Sequence, residues 1–282
     1  MLKQRLQAKL ELRGKKALTR SRQSIRAGQG STIHIQNKVA VSFCSNDYLG
    51  LSKHPAVIAA FQQGVNMYGV GMGGSPVVSG TRDIHLAFEE AFADFTQRDS
   101  ALLFPTGYMA NLGVLTALSN KDDEIFLDKQ NHASITDGGL LSQATLTRYP
   151  HLNFQILEKK LSQSKASNKI IMTDGVFSMT GEITRLDGLS MLAKKYDATM
   201  IIDDGHGVGI LGKNGQGTSI HYGLDQKDVP LITCPLGKAL GCFGGIVAGD
   251  KTYIETMLQY AKTYLYTAAL PGATVLALHK SL

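Results

Sequence analysis

Leucines at positions 2, 6 and 10 recur at helical spacing in a stretch otherwise crowded with lysine and arginine, which predicts a helix over residues 1–18 with one apolar stripe. A short meander of strand-like character around Ile33 to Phe43 follows. From residue 55 onward the pattern alternates. Periodic apolar runs predict helices over 55–67, 84–95, 109–118, 133–141, 153–161, 189–196 and 253–261. Short continuous apolar runs between them predict strands over 101–104, 124–127, 145–148, 169–173, 199–203, 231–234 and 244–248. Such alternation argues for an α/β fold, a mostly parallel sheet covered by helices on both faces. The expected organisation is a basic helical arm with short strands over 1–40 and a large α/β domain over 41–265. Residues 266–282, with an apolar helix from near Gly272, are expected to begin a C-terminal small domain that the chain carries only in truncated form. No internal repeat or low-complexity segment interrupts the pattern.

In open α/β sheets, ligands bind beyond the carboxyl ends of the strands. Polar and glycine-rich residues crowd five of those ends here: Pro105 to Tyr108, Asp128 to His132, Asp174 to Ser178, Asp203 to His206, and Pro235 to Lys238. Five such ends in one chain suggest a composite pocket built from loops.

Composition changes the picture little. With 43% hydrophobic and 18% charged residues, 30 glycines and no tryptophan, the chain reads as an ordinary globular protein, not a disordered, collagenous or disulfide-stapled one. Charge is more informative. Much of the net +6 comes from the first 26 residues, where nine basic side chains face only Glu11. This arm carries almost no aromatic residue and no nucleic-acid reader motif, so it is read as solvated or dimer-clasping, with no nucleic acid as partner. Cys44, Cys234 and Cys242 form no C-x-x-C pair, which fits reduced thiols in the cytoplasm. No apolar run matches a secretory signal or the ~20 residues of a membrane helix, so no membrane is expected as partner.

Three motif-like runs fail on context. Gly207 to Asn214 nearly spells a P-loop, but it ends in Asn, which offers no hydroxyl for Mg²⁺, and Gly215 to Gly217 cannot open a stable helix behind it. Gly69 to Gly74 looks like a dinucleotide loop but follows a helix. Asp203, Asp204 and His206 could ligate a metal, yet adjacent strand carboxylates point to opposite faces and no second histidine has matching spacing, so none is expected.

Lys238 lies in Pro-Leu-Gly-Lys-Ala-Leu-Gly, after an apolar strand and before a glycine-rich turn. A lone lysine is usually solvated. Its company changes the reading: an acid ending another strand, a histidine after a third, and a strand-Thr106-Gly107-helix turn suited to phosphate. A desolvated lysine can form a Schiff base with a carbonyl, an acid can keep a pyridinium protonated, and a helix N-terminus can take a phosphate. Together these are the parts needed to hold pyridoxal 5'-phosphate (PLP).

Six ordered motifs then resemble one family. They are Cys44-Ser-Asn46-Asp-Tyr-Leu-Gly-Leu-Ser52, Gly73-Gly-Ser-Pro-Val-Val-Ser-Gly80-Thr with His85, Asn131-His132-Ala-Ser134, Asp174-Gly-Val-Phe-Ser178-Met, Asp203-Asp-Gly-His206-Gly-Val-Gly, and Gly237-Lys238-Ala. Over its whole length the chain resembles the α-oxoamine synthases, PLP-dependent enzymes of transferase fold type I. The basic arm with Lys16 to Arg20, Arg148-Tyr-Pro-His151 and the Gly-His-Gly at 205–207 are similar to the biotin-pathway branch. The resemblance implies decarboxylative condensation of L-alanine with pimeloyl-CoA or pimeloyl-acyl carrier protein in a homodimer. It implies Lys238, His132 and Asp203 as catalytic residues: Lys238 carries the cofactor and moves the Cα proton, Asp203 pairs with the pyridine nitrogen, and His132 stacks on the ring and borders the substrate. Gly107 and Tyr108 would hold the phosphate through backbone N–H groups, and Ser178 and His206 the ring substituents. Asn46 would lie on the substrate side, with Arg20 near the acyl carboxylate. The same resemblance leaves two alternatives, a glycine/acetyl-CoA type of synthase and an inactive truncated scaffold.

The chain departs from the family at Pro235, three residues before Lys238, where a Ser or Thr normally offers its hydroxyl to the phosphate; proline has neither hydroxyl nor N–H. Pro76 is also unusual. The family continues for about another hundred residues, the scale of a small domain, and that region supplies an arginine for the amino-acid carboxylate.

Overall fold

The computed structural model describes residues 1–29, 31–35 and 38–282. The chain divides into two compact units, Met1–Ser45 and Asn46–Leu282.

In the first unit, helix α1 (Leu2–Lys15) is exposed throughout, including the stripe of Leu2, Leu6 and Leu10. Its basic last turn, Arg13 and Lys15, complements the helix dipole, and the Arg13 guanidinium donates to the carbonyl of Leu18 at 3.0 and 3.2 Å. Strands β1 (Ile25–Gln29), β2 (Thr32–Ile35) and β3 (Lys38–Val41) form an antiparallel sheet in that order. The meander expected near 33–43 therefore has an additional strand before it.

The second unit opens with α2 (Pro55–Tyr68), a one-turn π-helix over Pro76–Gly80, and α3 (Asp83–Thr96). The alternation then runs β4 (Ser100–Phe104), α4 (Gly107–Leu118), β5 (Glu124–Asp128), α5 (Ala133–Leu141), β6 (Thr145–Tyr149), α6 (Phe154–Gln163), β7 (Lys169–Asp174), α7 (Leu186–Lys195) and β8 (Ala198–Asp203). A single turn α8 (Thr218–His221), β9 (Leu231–Pro235), β10 (Gly245–Gly249), α9 (Lys251–Tyr260), the short α10 (Lys262–Leu265) and α11 (Gly272–Ser281) complete it.

The seven strands lie in the order β4-β10-β9-β8-β7-β5-β6. All are parallel except β10, which pairs antiparallel with both β4 and β9. The reason is length: only residues 236–244 join β9 to β10, too few for the crossover of about a dozen residues that a parallel return requires. Successive side chains feed two cores. Phe88, Phe92, Phe126, Ile171, Ile202 and Ile246 pack on one face, and Ile125, Leu127, Ile170, Met172, Ile201 and Val247 on the other. At the outer edge, Glu89 of α3 accepts the Leu103 N–H of β4 at 2.7 Å, and desolvation pushes its pKa up to about 7. Helix α11 seats Ala273 against Gly64 of α2, where a Cβ would come within 2.6 Å of the Ala273 backbone.

Candidate active site

The parallel strands bring their C-terminal ends to one edge of the sheet, and register decides which polar residues meet there. Asp174 and Asp203, the last residues of β7 and β8, are direct register partners, and Asp203 is also paired with Thr233 of β9. Both carboxylates are buried. Burial first, and the neighbouring Asp203 charge second, push the Asp174 carboxyl well above the usual carboxylate range, up to about 8. Asp203 is held at both oxygens: Oδ2 accepts from Asn111 Nδ2 at 2.6 Å and Oδ1 from the Gly205 N–H at 3.1 Å.

Lys238 sits in the turn after β9, and its Nζ lies over Gly205, where a Cβ would approach it to 2.9 Å. Its positive charge opposes the rise in the Asp174 pKa and adds to the fall in that of His206. His132 caps α5: Nδ1 accepts the Ser134 N–H, and its own backbone N–H donates to Asp174 Oδ2 at 2.9 Å. Thr106 caps α4 by accepting the Met109 N–H, and Gly107 and Tyr108 follow in the first turn, where a helix has no internal partners for its N–H groups. Tyr108 turns its ring edge toward His132 at 6.5 Å and donates its hydroxyl to Asp137.

These side chains surround a cavity of about 160 Å³ lined by Gly107, Tyr108, Asn111, His132, Ser134, Asp174, Asp203, Pro235 and Lys238. A larger open depression of about 570 Å³ beside His151 and Arg185 gathers no comparable set of groups.

His206, in the loop after β8, is half-buried. Burial, then the Lys238 charge, lower its pKa to about 4, with Asp203 opposing, so it is uncharged at neutral pH. The Tyr48 hydroxyl lies 2.6 Å from His206 Nδ1 and 3.4 Å from Asn46 Oδ1, which lines up Asn46, Tyr48 and His206. Ser178 is exposed, in a loop tied by the Val176–Ile183 bridge, and is not among the lining residues. Arg20 is an exposed residue of the first unit.

The near-P-loop proves to be a cradle for a different anion. Thr218 donates both its N–H and its hydroxyl to the fully buried Asp204 carboxylate, and Gly207 and Gly217 are pressed so closely on that carboxylate that neither could carry a Cβ. The glycines serve Asp204, whose carboxyl burial pushes up to about 6.

Four lining residues, Asn111, Ser134, Asp174 and Pro235, were not assigned site roles by sequence reasoning. Asn111 had one available signal, a lone amide inside the otherwise apolar run of α4.

The donor set suits PLP: one amine, a buried acid with its partners in place, an imidazole, and a helix N-terminus opened by a glycine that packs directly on Pro235. Comparison with known proteins agrees. Residues 38–282 match the family Aminotransferase class I and II. The 8-amino-7-oxononanoate synthase of Nitrosococcus oceani is 46% identical over 273 residues, covering 97% of this chain and 72% of the relative. That of Methylococcus capsulatus is 48% identical, covering 93% and 68%. The chain belongs to the class I and II aminotransferase family. Among solved structures, an SPT with PLP superposes with a TM-score of 0.93 at 30% identity, covering all of this chain and 72% of that one. The 8-amino-7-oxononanoate synthase of Francisella tularensis gives 0.73 at 36% identity, covering 84% and 66%. The family places this chain with the PLP-dependent transferases of the expected α/β fold. Among the described residues no helix is long and apolar enough to cross a membrane.

Proposed function

We propose that this chain is a PLP-dependent C-acyltransferase that condenses L-alanine with a pimeloyl thioester, releasing CO₂ and the carrier thiol, to give 8-amino-7-oxononanoate. The observation that carries this reading is the placement of the Lys238 amine and the Asp203 carboxylate around one small cavity, at the N-terminal turn of α4. When bound there, PLP supplies an electron sink for carbanion chemistry at the amino-acid Cα.

The chain's own residues do the rest. Lys238 would bond to the cofactor's carbonyl carbon, and its amine would move the Cα proton. Asp203 would pair with the ring nitrogen and keep it protonated. His132 would cover the ring face, and the N–H groups of Gly107 and Tyr108 would take the phosphate. His206, uncharged at neutral pH, would donate toward the ring oxygen, with Ser178 of the neighbouring loop proposed as a second donor. Asn46 would serve the substrate side. The acyl carrier is coenzyme A or acyl carrier protein, and the working unit is a homodimer.

The test is reduction of PLP-loaded protein with borohydride followed by peptide mass mapping, which should find the pyridoxyl group on Lys238. Labelling at another lysine overturns the assignment. Product analysis with alanine, glycine and serine against pimeloyl-CoA, pimeloyl-acyl carrier protein and acetyl-CoA then separates this reading from a glycine/acetyl-CoA type of synthase.

A further inference from the structure

Five polar groups in and behind the cavity wall form a chain of hydrogen bonds whose direction is fixed at both ends. Thr233 Oγ1 lies 2.6 Å from Asn111 Oδ1; Asn111 Nδ2 lies 2.6 Å from Asp203 Oδ2 and 2.8 Å from Ser134 Oγ; Ser134 Oγ lies 2.7 Å from His132 Nδ1. Thr233, Asn111 and Ser134 are at most 1% exposed, so solvent does not complete the set.

A carboxylate only accepts, so the Asn111 amide must turn its NH₂ toward Asp203, and its carbonyl oxygen must face Thr233, whose hydroxyl donates. The second amide proton goes to Ser134 Oγ. At the far end the Ser134 backbone N–H, which can only donate, also points at His132 Nδ1, at 3.3 Å. Nδ1 is therefore an acceptor, the Ser134 hydroxyl spends its one proton on it, and the ring proton sits on Nε2. Reversing a proton among Thr233, Asn111 and Ser134 would leave two donors facing each other in a buried place, where an unsatisfied group is costly; at the exposed His132 end the Ser134 N–H holds Nδ1 as an acceptor.

We infer that Asn111 is a positioning residue: held in one orientation by Thr233, it aims the Asp203 carboxylate with one N–H and, with the other, turns the Ser134 hydroxyl proton onto Nδ1 of His132, adding to the backbone N–H that holds the Nε2–H tautomer. The link to PLP rests on the function proposed above; the tautomer does not.

The first test therefore uses cofactor-free protein labelled with ¹⁵N-histidine, with the His132 signals assigned by loss in His132→Gln. Neutral His132 should carry its proton on Nε2. Asn111→Asp replaces the donor facing Ser134 with an acceptor, so the Ser134 hydroxyl should turn to it and the His132 Nδ1 resonance should shift as Nδ1 keeps only the Ser134 backbone N–H. Adding Ser134→Ala should abolish that shift. An Nδ1–H tautomer in the native chain, or a folded Asn111→Asp variant whose His132 signals do not move, overturns the inference.

Thr233→Val provides a second route should Asn111→Asp fail to fold. It should weaken PLP binding, followed by visible absorbance, by about tenfold or more through loss of the aim on Asp203, and Thr233→Ser should restore it. Unchanged PLP affinity in a folded Thr233→Val variant overturns the positioning of Asp203. A native chain that takes up no PLP would sink the proposed function while leaving the tautomer measurement to decide the relay.

Discussion

The Tyr48 hydroxyl approaches Nδ1 of His206 to 2.6 Å, joining a loop before α2 to the loop that follows β8. A neutral imidazole can share this bond in either direction, whereas an imidazolium can only donate to the phenol oxygen. With its pKa lowered from 6.5 to about 4, His206 is neutral in the fold at pH values where the unfolded chain would already be charged. The unfolded state then binds the extra proton, so this group's contribution to stability is complete above pH 6.5 and is lost as pH falls toward 4. Urea denaturation across that window should show a shallower acid loss for His206→Gln than for the native chain.

Asp174 has the opposite sign. Its folded pKa of about 8 lies above the ordinary 3.8, so the folded state binds the proton more tightly. Its contribution is full below 3.8 and declines as pH rises through 8, with a slope of at most about 1.4 kcal/mol per pH unit. Asp174→Asn keeps the acceptor for the His132 N–H and removes the titration. The variant should gain stability relative to the native chain as pH rises, and parallel denaturation midpoints at pH 4.5 and 7.5 would contradict this.

Pro235 fills the space between two glycines at the cavity. A Cβ on Gly107 would meet its Cγ at 2.5 Å, and one on Gly205 its Cδ at 2.5 Å. Pro235→Ser replaces the ring with a hydroxyl beside the first turn of α4. A hydrogen bond to a charged group is worth about 1.5–3 kcal/mol, so PLP should bind roughly ten- to hundredfold more tightly. The lost packing should lower stability by about 1 kcal/mol. Spectral titration with PLP and thermal denaturation read the two effects separately.

Gly207→Ala should be severe, because the new methyl group would enter the space of the Asp204 carboxylate and of Thr218. A loss of about 2–4 kcal/mol is expected, the cost of overpacking a buried polar cluster. Gly223→Ala is the control: that residue has φ +68° but nothing within 4 Å, so only the backbone penalty of about 1–2 kcal/mol applies. Equal losses in the two variants would show that the cradle adds nothing.

The strand ends were legible because each couples an apolar run to a polar break, and all five clusters do lie at one edge of the sheet. The direction of β10 was not, since an apolar run of five residues reads the same in either sense and only the short connection decides it. The site shows the same division. Lys238, Asp203, His132 and Gly107 stand at the breaks and announce themselves. Asn111 does its work through a partner 92 residues away, and no local pattern marks an amide that faces a carboxylate instead of a cap. Ser178, just past a strand end, carries the same positional signal and stands exposed in the loop tied by the Val176–Ile183 bridge.

Glu89 gives the large sheet an asymmetry at its margins. By occupying the Leu103 N–H it closes β4 to an incoming strand from another molecule, while the opposite margin, β6, bears the exposed Arg148, a charge of the kind that discourages strand addition. Strand addition to the large sheet is thereby disfavoured at both of its margins, which leaves the helical faces of this unit as its surfaces for stable encounters.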